Sequence, residues 1–148
     1  MTAAVFDTNV ILSGVLSPGG APGRLLDALL DGVCRPVVND SILVEYEDVL
    51  SRPKFGFPAF RIHVLMDAIR GRAVFAPFAA IKLKRALPDP EDLPFMEAAL
   101  GHGVPIVTGN IRHFPRELMG SIPVFSPAEF LARLYVSHRV LDRPGSLR

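Results

Sequence analysis

The chain has almost no cysteine, no excess of charge of either sign and no long apolar run. Cys34 is the only cysteine among 148 residues, which excludes an internal disulfide and the usual cysteine-based zinc sets. It reads as core. Sixteen basic side chains face fifteen acidic ones, so any contact with nucleic acid must come from local patches rather than from a global field. No stretch approaches the roughly 18 apolar residues a membrane helix needs, and the opening residues lack the basic start and apolar core of a signal peptide. A cytoplasmic protein without a membrane partner is the expectation. Also missing are a P-loop, a dinucleotide glycine pattern and a Gly-x-Ser-x-Gly elbow, and neither a repeat nor a linker divides the chain. The hydrophobic fraction, 49%, is enough for one domain with a real core.

What is present is an alternation of short apolar runs and helical patterns. The stretch from Thr2 to Leu12 reads as the first strand, whose apolar run halts at Asp7. In open α/β sheets the ligands sit beyond the carboxyl ends of the strands, so Asp7 is expected at a site. Ser17 to Gly23 reads as a flexible loop. Leu25, Leu26, Leu29 and Leu30 then form one face of a helix that Gly32 ends. Val33 to Val38 is a second strand, and Asn39-Asp40-Ser41 caps a helix in which Ile42, Tyr46, Val49 and Leu50 share a face. An aromatic connection from Phe55 to Phe60 leads to a helix from about Arg61 to Arg70, and Ala73-Val74-Phe75 is a third strand.

The second half repeats the scheme around an acidic group, Asp89-Pro90-Glu91-Asp92. Pro94 is tolerated only in the first turn of a helix, which sets the helix start near Glu91 or Asp92. Asp92, Phe95, Met96 and Ala99 then lie on one face, so the aspartate heads the side that packs on the sheet. Gly101 to Gly103 ends this helix. Val104 to Val107 is a fourth strand closed by Thr108-Gly109-Asn110, and Ile122 to Phe125 is a fifth. Ser126-Pro127-Ala128-Glu129 is a capping box opening a helix to Leu134. The expected fold is a three-layer α/β/α sandwich with a mostly parallel sheet, over residues 1–134. The tail, residues 135–148, shows no clear period and is expected to be mobile or to dock on a partner.

Strand ends and helix starts bring Asp7, the Asp89 to Asp92 group and the Thr108 turn to one crevice. Either Glu45 or Glu47 approaches from the second strand's helix, and periodicity does not choose between them. Carboxylates gathered in this way repel and regain protons unless a cation sits among them. Oxygen ligands suit Mg²⁺ or Mn²⁺, and the chemistry that such a site serves is phosphodiester hydrolysis. Helix capping is an ordinary role for Asp89, Glu91 and Asp92, and is compatible with ligation.

Four stretches resemble the PIN domain family, the nuclease fold of many bacterial toxins. Val5-Phe6-Asp7-Thr8-Asn9-Val10-Ile11-Leu12-Ser13 is similar to its first strand and first acidic ligand. Ser41 to Leu50 resembles the helix carrying its glutamate, and selects Glu45 over Glu47. Asp89 to Ala99 resembles the third acidic motif, with Asp92 as ligand and Asp89 beside it. Val107-Thr108-Gly109-Asn110-Ile111-Arg112-His113-Phe114 resembles the fourth, where many members carry an aspartate and this chain has Asn110, with His113 nearby. The resemblance implies that Asp7, Glu45, Asp92 and Asp89 hold Mg²⁺ or Mn²⁺, with Asp7, Glu45 and Asp92 catalytic. Thr8, Asn9, Thr108, Asn110 and His113 would support them. It also implies single-stranded RNA as substrate, contacted by Lys82, Lys84, Arg85, Arg112 and Arg116, a homodimer, and a small antitoxin as partner.

Two rival readings follow from the departures. Without a fourth carboxylate the chain could be a non-catalytic interaction module. The phosphatases that form an aspartyl-phosphate also begin with a strand ending in aspartate, but need a second aspartate where this chain has Asn9.

Overall fold

Five short strands lie side by side in the order β3-β2-β1-β4-β5, every pairing parallel, in a computed structural model that describes residues 2–77 and 80–141. They are β1 (Ala3–Phe6), β2 (Arg35–Val38), β3 (Val74–Phe75), β4 (Ile106–Val107) and β5 (Val124–Phe125). The helices among the described residues are α1 (Thr8–Leu16), α2 (Ala21–Leu30), α3 (Asp40–Leu50), α4 (Ala59–Arg72), α5 (Leu93–His102), α6 (Arg116–Met119) and α7 (Pro127–Leu141). Helices α1 to α4 and α7 pack on one another, while α5 lies on β1, β2 and β4. Right-handed parallel crossovers assign α1 to α4 and α5 to opposite faces, because the chain reverses direction across the sheet between β3 and β4. The expected three-layer α/β fold is the one observed.

The central strands are short but buried on both faces. Val5, Phe6, Val37, Val38, Ile106 and Val107 are fully shielded from solvent. This is why they read as continuous apolar runs rather than alternating ones. Over them pack Ile11, Leu25 and Leu29 from the first two helices, Tyr46 and Met66 from the next two, and Phe95 and Met96 from α5. Phe6 and Phe130 meet edge to face, with ring centroids 5.9 Å apart, and so tie β1 to α7.

Several boundaries differ from the sequence expectation. Val10, Ile11 and Leu12 do not extend the first strand; β1 ends at Phe6 and a helix starts at Thr8. Its buried residues Thr8, Val10, Ile11 and Gly14 follow helical rather than alternating spacing. The β-branched pair fits either state locally, and packing decides. The following loop is also shorter than Ser17 to Gly23, because α2 begins at Ala21 with Pro22 in its first turn. Gly23 belongs to that helix and lets it approach the loop closely. A Cβ there would stand 2.2 Å from the Pro18 carbonyl oxygen. The last helix passes Leu134 and continues to Leu141, so the expected tail is helical at its start; residues 142–148 lie outside the described residues. Ser126 and Glu129 form the expected capping box, with reciprocal bonds of 3.1 and 3.2 Å.

The sheet's switch point lies between β1 and β4. The chain leaves β1 towards β2 and returns to the other side only with β4, which opens a crevice beyond their carboxyl ends. Asp7 and Thr108 are the residues that follow these two strands.

Candidate functional site

Asp7 occupies the turn between β1 and α1, in the N-cap position, and is 6% exposed. Its backbone N–H is held by the Val107 carbonyl at 2.9 Å, which continues the β1–β4 ladder into the site. From the end of β4, Thr108 Oγ1 donates to Asp7 Oδ2 at 2.7 Å, and the same hydroxyl accepts the Asn110 N–H at 3.0 Å. Burial raises the Asp7 carboxyl above its ordinary value. The Thr108 bond, the Thr8 amide, the His113 charge and the Asn9 amide, in that order, pull against it.

Glu45 reaches the crevice from α3, where its partner is the hydroxyl of Thr8, which donates to Oε2. Glu47, the other candidate on this helix, pairs outward with Arg70 at 3.7 Å. The Glu45 carboxyl is also raised, by burial first; the Thr8 bond opposes this, and the charges of Asp7, Glu91 and Asp89 add to it. Two contacts hold α3 in this position. Tyr46, fully buried, donates its hydroxyl to the Phe6 carbonyl oxygen. Asn39 caps the helix by accepting the Ile42 N–H at 2.9 Å and donates from Nδ2 to the Pro94 carbonyl at 3.0 Å, bridging α3 to the first turn of α5.

Asp92 ends a tight turn, Pro90–Asp92, immediately before α5, with Pro94 in the first turn as the spacing requires. Asp89 opens that turn by accepting the Glu91 N–H at 3.0 Å. Asp92 is 7% exposed and its carboxyl is pushed up to about 6, by burial first, then by the charges of Asp7 and Asp89; His113 opposes the rise and Glu45 adds to it. Its Oδ2 is buried without a hydrogen-bond partner. His113 Nδ1 stands 2.9 Å from that oxygen, yet the approach lacks the alignment of a hydrogen bond.

Among the described residues, one group of side chains offers ligand atoms all within 4.8 Å of one another: Asp89, Asp92 and His113. Asp7 and Glu45 are not in a group this tight with Asp92, although both raise its carboxyl and share its crevice. A buried carboxylate oxygen with no donor, next to two more raised carboxyls, is the chemistry of a divalent-cation site, and the residues present fit such an ion.

The other expected residues are less convergent. Asn9 Oδ1 accepts the Gly109 N–H at 3.1 Å and fastens the two strand ends together. Asn110 is exposed and begins a turn, Ile111–His113, that carries His113 back towards Asp92. Lys82, Lys84 and Arg85 are exposed in the segment leading to Asp89, and Arg85 pairs with Glu117 of α6. Arg112 and Arg116 are exposed. Sequence reasoning missed the hydroxyl of Tyr46 and the Asn39 bridge. A tyrosine on an otherwise apolar stripe was the available signal, because a buried phenol needs an acceptor.

No curated protein matches the sequence. A similar solved structure is that of VapBC2 from Rickettsia felis bound to a DNA fragment from their promoter. Its matching chain is 13% identical, with 84% of this chain and 98% of that chain covered and a TM-score of 0.56. At that identity the likeness shows the fold. The family model for the PIN domain matches residues 3–112, which span β1 to the turn beyond β4 with Asp7, Glu45 and Asp92 inside them, and the chain belongs to the PIN domain family.

Proposed function

We propose that the protein is a divalent-metal-dependent ribonuclease acting on single-stranded RNA, the toxin of a toxin–antitoxin pair. The observation that carries the reading is Asp92, a carboxylate whose buried Oδ2 has no aligned donor and whose proton affinity is raised by burial first and then by the charges of Asp7, Asp89 and Glu45. Asp92, Asp7, Glu45 and Asp89 would hold Mg²⁺ or Mn²⁺. When bound, the ion supplies Lewis acidity, polarising a phosphoryl oxygen and activating water near neutral pH. Thr108 and Thr8 orient the Asp7 and Glu45 carboxylates through their hydroxyls. Asn9 keeps the two strand ends at fixed separation. Arg112, Arg116, Lys82, Lys84 and Arg85 supply phosphate contacts, which set affinity rather than sequence preference.

A small antitoxin partner is supported by the fold shared with a chain of the VapBC2 structure and by an apolar trough along α2 and α4. Leu26 and Leu30 line its floor, and Phe60 and Val64, 70% and 63% exposed, line its rim. A homodimer and a cytoplasmic location belong to the same reading; no described helix is long and apolar enough to cross a membrane.

The test is cleavage of single-stranded RNA with Mg²⁺ or Mn²⁺, its loss on chelation, and its loss in Asp7→Asn and Asp92→Asn variants that remain folded. Ion binding without cleavage of any RNA supplied would favour the non-catalytic module. An acyl-phosphate trapped on Asp7 would favour the phosphatase.

A further inference from the structure

We propose that His113 is a direct nitrogen ligand of the cation, standing in for the carboxylate missing at Asn110, and that it biases the site towards Mn²⁺ over Mg²⁺. The inference rests on the metal reading of the same crevice and deepens it by naming a ligand and a preference.

The geometry around Asp92 is the starting point. Its Oδ2 is buried, has no hydrogen-bond donor, and lies 2.9 Å from His113 Nδ1. Two polar atoms at this distance without an aligned hydrogen bond are spaced either as an ion pair or as neighbouring ligands of a third atom. Adjacent ligands on an ion with bonds of about 2.1 Å are separated by about 3 Å, and opposite ones by about 4.2 Å. The 2.9 Å approach matches the first spacing, and Asp89 brings a third ligand atom within 4.8 Å of both Asp92 and His113.

The chain delivers this imidazole by construction. The Ile111–His113 turn is closed by the His113 N–H on the Asn110 carbonyl at 3.1 Å, and Phe114, 1% exposed, anchors the turn in the core. His113 is therefore presented from a fixed backbone, with its side chain about one-third exposed. Asn110, three residues earlier, is exposed and engages Thr108 through its backbone N–H.

The chemistry then follows from ligand type. Mg²⁺ takes oxygen ligands and gives up water reluctantly, whereas first-row transition ions accept imidazole with affinity rising along the Irving–Williams order. Exchanging one carboxylate oxygen for an imidazole nitrogen removes one negative charge and one hard ligand, and both changes cost Mg²⁺ more than Mn²⁺. The competing arrangement is an ion pair, with an imidazolium neutralising Asp92. The two differ in sign: loss of a ligand weakens ion binding, whereas loss of a positive charge strengthens it.

The experiment is pulsed electron paramagnetic resonance of the full chain loaded with Mn²⁺, together with titration calorimetry of Mn²⁺ and Mg²⁺. Nitrogen-14 modulation from a directly bound imidazole is expected in the natural protein and absent in His113→Gln, whose Mn²⁺ affinity falls about tenfold or more. His113→Asp is expected to bind Mn²⁺ without nitrogen modulation and to narrow the Mn²⁺ to Mg²⁺ preference. Mn²⁺ binding without nitrogen modulation in the natural protein, or unchanged or tighter binding in His113→Gln, overturns the ligand role and leaves the nuclease reading standing. Absence of any divalent binding by the natural protein overturns both.

Discussion

Thr108 Oγ1 donates a 2.7 Å hydrogen bond to Asp7 Oδ2, joining two residues that are 101 positions apart in the chain and sit at the ends of adjacent strands. The bond is buried, and Thr108 is 0% exposed. It opposes the rise that burial imposes on the carboxyl. Replacing Thr108 by Val removes the donor to Asp7 and the acceptor for the Asn110 N–H together. The expected cost is about 1–3 kcal/mol in denaturant unfolding, with weaker divalent binding by calorimetry. Thr108→Ser keeps the hydroxyl and should retain most of both.

The raised carboxyls give stability a definite pH dependence. Asp92 has its ordinary value, 3.8, when unfolded and about 6 when folded, so the native state binds the proton more tightly. Its contribution is full below the unfolded value and is lost as pH rises through the folded one. Asp7 and Glu45 shift in the same direction. In the presence of chelator, the unfolding midpoint of the natural protein relative to Asp92→Asn should fall from pH 4.5 to pH 7. Saturating Mn²⁺ should reverse the fall, adding about 2.7 kcal/mol at a hundredfold excess over Kd, with the gain largest above pH 6. A relative midpoint flat across this range would contradict the shift assigned to Asp92.

Tyr46 fastens the helix of Glu45 to the strand of Asp7, because its hydroxyl binds the carbonyl of Phe6, the residue before Asp7. Tyr46→Phe keeps the ring in its place and deletes that single contact. Thermal or chemical unfolding should show a loss of about 1–2 kcal/mol. Divalent affinity should drop with it, since Glu45 is then held by the Asn39 bridge and the Thr8 hydroxyl without the tie to β1.

Asn39 performs two tasks that substitutions can separate. Asn39→Ser retains a capping oxygen for the Ile42 N–H but loses the Nδ2 bond to the Pro94 carbonyl, and Asn39→Ala loses both. The alanine variant should lose about 1 kcal/mol more than the serine one. Both should weaken ion binding to a similar degree, because the bridge, not the cap, sets α3 against α5.

How much of this was legible beforehand depended on which interactions leave a local mark. The start of α5 is readable because proline at position 94 restricts where a helix begins, and that places Asp92 correctly. Asn39 is readable as a cap, since capping is a matter of three residues. Its reach to Pro94 is not, because 55 residues separate them and only the finished packing brings them together. Val10 and Ile11 mislead for the opposite reason. Locally they fit a strand as readily as a helix, and burial of one face against α2 and α3 decides for the helix. His113 carries only a weak local mark. Its importance rests on a short turn returning it to a carboxylate on another element, and a lone histidine near a loop has no periodicity to betray it.

The β1–β4 ladder also sets an order of events for a chain being synthesised. The amides of Val5 and Asp7 are held by the carbonyls of Pro105 and Val107, so until those residues emerge, one side of β1 is an open template with nothing to pair against. A fragment ending before Pro105 would also lack Thr108 and His113, and so would carry an adhesive edge but no assembled crevice. Premature termination would thus yield an aggregation-prone polypeptide in which the crevice is not assembled.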